Sequence, residues 1–290
     1  MQIEPEQHRE ARGATDDLER AAEQLEDSLA SLVGDYEERE SGDRPRARGI
    51  YLLPNLFTTA ALFCGFYAIV ASLKGEFYSG AVAVFVAMIF DALDGRVARL
   101  TNTSSAFGAE YDSLSDMISF GLAPSLLVFN YALVDTGKVG WVAAFLYTAC
   151  AALRLARFNT QQDKGDGSQF TGLASPAAAA LAAGAVWLGI EYDLAASVVP
   201  LAPLWALLLA LLGFLMVARF PYQSFKTIRL EQRVPLARML LIVVLLGLVA
   251  LNPPLVLWSL FLIYAMSGPV QHLRRSVVKA SMTASSDEES

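Results

Sequence analysis

The stretch Ala81-Val-Ala-Val-Phe-Val-Ala-Met-Ile-Phe90 runs directly into Asp91-Ala-Leu-Asp94-Gly95-Arg96-Val-Ala98-Arg99, and this junction decides how the chain is read. Ten apolar residues carry a helix to the edge of a bilayer, and two carboxylates and two guanidinium groups then follow within nine positions. Gly108, Asp112 and Asp116 come next, at the start of another apolar run. Ionisable groups inside membrane-length apolar segments are costly, so they mark a functional site by default.

At about 100° per residue, Asp91, Asp94, Gly95, Ala98 and Arg99 share one face of a helix. Gly108, Asp112 and Asp116 stack on one face of the next. Two helices facing each other in this way would hold four carboxylates around a pair of divalent cations. The glycines leave room for a ligand or for close helix approach. A structural polar cluster between helices is one alternative. A carboxylate-based cation transporter is another, but it explains the acids and not the Gly/Ala/Arg spacing.

Outward from this junction the chain is 54% apolar with positive mean hydropathy, and several runs reach the 20 or so residues that a bilayer requires. The expected fold is all-α, a polytopic integral membrane bundle of about eight transmembrane helices. Their expected positions are 55–73, 78–99, 107–134, 139–158, 173–190, 197–219, 236–252 and 254–271. The turn Asn252-Pro253-Pro254 leaves open whether the last two are separate spans or one broken helix. The organisation this gives is an acidic extension (1–43), a six-helix membrane core (44–235), two additional helices (236–271) and a C-terminal tail (272–290).

Eight spans put both termini on one side. Beyond residue 43, that side would hold sixteen Lys and Arg residues, against only Lys74 and Lys138 in the opposite loops. The positive-inside rule then places the termini and the aspartates on the cytoplasmic face of a cell inner membrane. The net charge of −7 hides an acidic segment, 1–43, with fourteen acids and four arginines. Leu18, Leu25 and Leu32 recur there at seven-residue spacing, which predicts a short amphipathic helix rather than a full coiled coil. The segment has no apolar core, so no signal peptide is expected. Cys64 and Cys150 read as small apolar packers, and His8 and His272 lie in the terminal segments. Chemistry in the membrane core must therefore come from carboxylates, metals, arginines and hydroxyls.

The pattern Asp-x2-Asp-Gly-x2-Ala-Arg-x8-Gly-x3-Asp-x3-Asp, from Asp91 to Asp116, resembles the signature of the CDP-alcohol phosphatidyltransferases at every defined position. The resemblance implies two divalent cations, Mg²⁺ or Mn²⁺, among Asp91, Asp94, Asp112 and Asp116. It implies that Asp116 also serves as general base toward the acceptor alcohol. It further implies nucleotide contacts from Asp94, Gly95, Ala98, Arg99 and Gly108. Arg96 lies about 100° round the helix from Gly95 and reads as a headgroup or structural residue.

Stretches outside the motif bear on the acceptor. Pro54-Asn55-Leu-Phe-Thr58-Thr59, Arg154-Leu-Ala-Arg157-Phe-Asn159, Phe170 to Ala180 and Arg219 to Lys226 resemble the bacterial membrane-type phosphatidylserine synthases. That resemblance implies transfer of a phosphatidyl group from CDP-diacylglycerol to L-serine. The partners expected are these two substrates, membrane lipids and a second copy of the chain in a homodimer, with no nucleic acid. Phosphatidylglycerophosphate and phosphatidylcholine synthases share the motif and differ in the acceptor. Arg154 and Arg157, at i,i+3, could clamp the acceptor carboxylate, with Asn159 beside them; cytoplasmic anchoring of the helix is their plainer role. Pro176 is expected to start the fifth helix, and Asn55 to cap the first. One departure is Ala61, where the resemblance leads one to expect Asn, so a polar ligand contact from the first helix is in question.

Overall fold

The computed structural model describes residues 49–101, 105–162, 172–193, 201–220, 222 and 236–287, together with Arg20 and Gln24. Every regular element among the described residues is helical. In chain order these are α1 (Gly49–Leu73), α2 (Phe77–Thr101), α3 (Ala106–Thr136), α4 (Lys138–Gln162), α5 (Ser175–Glu191), α6 (Ala202–Val217), α7 (Leu236–Leu251) and α8 (Pro253–Asp287). Each matches one expected span. By length and composition, four helices can cross a membrane: Leu53–Leu73, Ala106–Thr136, Lys138–Thr160 and Pro253–His272. Helices α5 and α6 and the part of α7 from Met239 to Leu251 are apolar but shorter. The heptad leucines of the acidic extension lie outside the described residues.

Small residues set the spacing of the bundle. Helices α1 and α2 form a hairpin through a tight turn in which Gly75 has φ +78° and Glu76 N–H donates to Ala71 O at 2.9 Å. They then pack along their length, with Ala68, Ala71, Ala81, Val84 and Ala87 all buried at the seam. At the centre stands α5, where nearly every residue from Ala177 to Val186 is buried. A helix apolar on every side belongs inside a bundle, and α5 packs against α2, α3, α6 and α8. Without a hydrophobic drive between helices in lipid, this alanine-rich surface gains its stability from close van der Waals contact. The outward faces carry large apolar side chains such as Phe63, Phe145, Phe214 and Leu241, as a lipid-facing surface requires. Among the described residues, no buried side-chain nitrogen or oxygen lacks a hydrogen-bond partner, the condition for polar groups at membrane depth.

Three features differ from the sequence expectations. Helix α1 starts at Gly49, so Pro54 and Asn55 lie inside it and Asn55 is not its cap. Its backbone carbonyl accepts from Thr59 Oγ1 at 2.7 Å. Second, α3 is not one regular helix. It is α-helical over Ala106–Asp116, π-helical over Met117–Leu122, α-helical over Ala123–Val128, π-helical over Phe129–Leu133, and ends in a 3-10 turn. The physical reason is Pro124, which has no N–H to offer the carbonyl of Phe120. The helix widens, Ala123 N–H reaches back to Ile118 O, and the Tyr147 hydroxyl donates to Phe120 O at 3.0 Å. Third, α8 runs well beyond residue 271 as a continuous helix. The junction between α7 and α8 is a real break, with Asn252 Oδ1 accepting from Leu255 N–H at 3.2 Å.

Candidate active site

Helices α2 and α3 bring their acidic faces together as the one-face spacing demands. Carboxylate oxygens of Asp91, Asp112 and Asp116 all lie within 4.8 Å of one another, a set that could hold a metal ion. The Asp91 and Asp116 carboxyls are in hydrogen-bond contact. Carboxyl groups this close repel unless positive charge sits between them. Asp94 lies outside this group of three. It is only 6% exposed, and Thr58 of α1 donates to its Oδ2 at 2.9 Å while also reaching Pro54 O.

The start of α3 is shaped by Ser105, whose side chain caps the helix by accepting from Gly108 N–H at 3.0 Å. A Cβ on Gly108 would stand 3.2 Å from Ser105 Oγ and 3.5 Å from Asn55 Oδ1, so α1 approaches closely here. Gly95 differs in kind. Among the described residues, a Cβ there would meet only the Arg99 guanidinium, at 3.9 Å, and no other helix calls for glycine at this position. Arg99 is exposed and its Nε donates to Gly95 O at 2.6 Å. Arg96 is exposed and Ala98 half-buried on the same stretch.

Hydroxyls lock α3 to its neighbours around the acids. Ser115 Oγ donates to Thr58 O at 3.2 Å and Ser119 Oγ to Ala61 O at 3.1 Å. Gly65 leaves the space in which Ser119 sits. Ala61 is thus buried at a helix crossing, and its backbone carbonyl makes the polar contact there. Asn159 Nδ2 of α4 donates to Ser113 Oγ at 3.0 Å, immediately beside Asp112.

The two α4 arginines part company. Arg154 Nη1 donates to the fully buried Ser175 Oγ at 2.7 Å, and its charge interacts with that of Asp116. Arg157 is half-buried and reaches Val217 O at 3.5 Å, at the C-terminal end of α6. Pro176 stands in the first turn of α5, as expected, but the Ser175 side chain makes no helix cap and serves Arg154 instead. Sequence reasoning passed over Thr58 and Ser113 as individual residues and took Ser175, with Pro176, as a helix start. The only local trace was the hydroxyl-rich Thr58-Thr59 pair, one turn after Pro54.

The sequence model of the CDP-alcohol phosphatidyltransferase family matches residues 51–214, more than half of the chain. The chain belongs to that family. A CDP-diacylglycerol–serine O-phosphatidyltransferase of Helicobacter pylori (strain ATCC 700392 / 26695) is 37% identical over 220 residues, covering 75% of this chain and 90% of its own length. The protein of the same name from Mycobacterium leprae is 31% identical over 238 residues, covering 78% of this chain and 77% of its own. An archaetidylserine synthase of Methanothermobacter thermautotrophicus is 36% identical over 152 residues, covering 52% and 64%. As a CDP-alcohol phosphatidyltransferase, the chain carries the acids, glycines, alanine and arginine of its signature on α2 and α3, inside the matched region.

Proposed function

We propose that the chain transfers the phosphatidyl group of CDP-diacylglycerol to the hydroxyl of L-serine, giving phosphatidylserine and CMP. The observation that carries this reading is the convergence of Asp91, Asp112 and Asp116 within 4.8 Å, with Arg154 in electrostatic range of Asp116. The names of the relatives support the choice of acceptor.

Three carboxylate oxygens at this spacing suit a divalent cation, whose bonds to oxygen run about 2.0–2.6 Å. Asp91, Asp112 and Asp116 would hold it, and Asp94, whose Oδ2 accepts from Thr58, would serve a second Mg²⁺ or Mn²⁺. Bound there, such ions would neutralise the pyrophosphate and the charge that grows on the leaving group. Asp116 takes the proton of the acceptor hydroxyl, a weak nucleophile at neutral pH. The new bond joins the serine oxygen to the phosphorus that bears diacylglycerol. The bond from that phosphorus to the CMP oxygen breaks, and CMP leaves with the electron pair. Gly95 and Ala98 keep the wall of α2 low for the nucleotide, and Arg99 and Gly108 border it.

The site faces the cytoplasm of a cell inner membrane in this reading, supported by sixteen basic residues beyond residue 43 on the terminus side against two opposite. A homodimer belongs to the same proposal. The test is incubation of purified protein with CDP-diacylglycerol, Mg²⁺ or Mn²⁺, and serine, glycerol 3-phosphate or choline in parallel. Serine-dependent CMP release with phosphatidylserine as product is expected. Preference for another alcohol would overturn the acceptor assignment.

A further inference from the structure

Helices α7 and α8 lie beyond residues 51–214, the region matched to the family, yet α8 enters the same bundle. Trp258 Nε1 donates to Leu181 O of α5 at 3.1 Å, and Gly184 leaves room for the indole. Phe220 accepts from Gly172 N–H, just before α5, and its ring meets His272 at 5.3 Å. The start of α5 thus lies near the far end of the apolar part of α8, and the two helices run antiparallel. Six residues separate Trp258 from Tyr264, and six separate Leu181 from Ser175. Each interval is about 9 Å of helix, so Tyr264 comes level with Ser175, the residue that holds Arg154.

The Tyr264 ring is seated from behind. It lies 5.5 Å from the ring of Tyr222, whose hydroxyl donates to Ala265 O at 3.0 Å. Burial pushes the Tyr222 phenol up to about 12, so it remains a neutral donor. A side chain on Gly268 would overlap the Tyr222 ring, so this glycine makes the seat possible. Tyr264 and Arg154 are in electrostatic range of each other, as are Arg154 and Asp116.

We propose that Arg154 of α4 and Tyr264 of α8 together form the subsite for the carboxylate of the acceptor. This rests on the reading that the acceptor is serine. Arg154 supplies the positive charge, held in place by Ser175, and the Tyr264 hydroxyl supplies a neutral donor beside it. Acceptor selection would then depend on a helix outside the family-matched core, while the donor is held by α2 and α3 within it.

The experiment compares the full-length wild-type chain with Tyr264→Phe and Arg154→Lys, measuring kcat and the KM of each substrate with thermal stability in detergent. Tyr264→Phe keeps the ring that packs on Tyr222 and removes only the hydroxyl. Its KM for serine should rise about tenfold, with the KM for CDP-diacylglycerol and the melting temperature unchanged. Arg154→Lys should raise the serine KM further still. An unchanged serine KM in Tyr264→Phe overturns the subsite, and so does an equal loss toward both substrates or a lowered melting temperature. Absence of serine-dependent CMP release from the wild-type chain would instead overturn the serine reading and the subsite with it.

Discussion

Thr58 Oγ1 of α1 and Asp94 Oδ2 of α2 are 2.9 Å apart, and both residues are buried. The contact ties the least exposed acid of the motif to a helix outside it. A hydrogen bond to a charged group is worth about 1.5–3 kcal/mol. Thr58→Val, nearly isosteric, should therefore lower CMP release by roughly ten- to hundredfold, and Thr58→Ser should restore most of it. Equal activity in the valine and serine variants would show that the hydroxyl does nothing for Asp94.

The acids should fail in different ways. Asp116→Asn is expected to abolish transfer even at saturating metal, because it removes the base as well as one of the three converging oxygens. Asp91→Asn and Asp112→Asn should weaken metal binding, with turnover returning as Mn²⁺ is raised, since each removes only one oxygen of the group within 4.8 Å. Titration of Mn²⁺ against each variant separates the two outcomes. Substantial turnover by Asp116→Asn at neutral pH would remove it from the role of base.

Gly95 discriminates ligand space from packing space. With only the Arg99 guanidinium, among the described residues, near a Cβ there, both Gly95→Ala and Gly95→Leu should fold with unchanged thermal stability. Only the leucine variant should lose affinity for CDP-diacylglycerol, measured by equilibrium binding with Mn²⁺ present. A leucine variant that melts early would mean that another helix needs this glycine.

Gly172 carries a stability prediction. Its φ is +93°, and a methyl group would run into the carbonyl oxygen of Met216. Gly172 N–H bonds to Phe220 O and Leu173 N–H to Leu215 O, so the segment leading into α5 is clamped to the end of α6. Gly172→Ala should cost more than about 1 kcal/mol, seen as a lowered melting temperature in detergent. Since α5 presents Ser175 to Arg154, the serine KM of this variant should rise as well.

Much of this architecture could be read from the chain because hydropathy and helical periodicity are local signals. The eight helices fall where the apolar runs fall, and the motif acids meet because i,i+3 and i,i+4 spacings put them on facing stripes. Thr58 escaped because its partner is 36 residues away, and a Pro54-to-Thr58 turn is common in any helix. Ser175 looked like part of a helix start, since nothing beside Pro176 reveals that Arg154 lies opposite. The break in α3 did have a signal, Pro124, but one proline does not say whether a helix kinks, ends or widens. That outcome depended on Tyr147, which arrives from α4 to satisfy Phe120 O.

The widened turns Met117–Leu122 begin one residue after Asp116. A π-helical turn is an α-helix with one residue more than the backbone ladder needs. The bulge takes up that residue locally, so Asp112 and Asp116 before it and Ser125 after it keep the faces that a regular α-helix one residue shorter would give them. Ser125, bonded to Thr148 of α4 at 2.8 Å, fixes the later half. The slack between the acids and their anchor on α4 is therefore one residue, spent without turning Asp112 and Asp116 away from Asp91. A homologue one residue shorter in that interval would keep both the signature and its geometry by running from Asp116 to Pro124 as a plain α-helix.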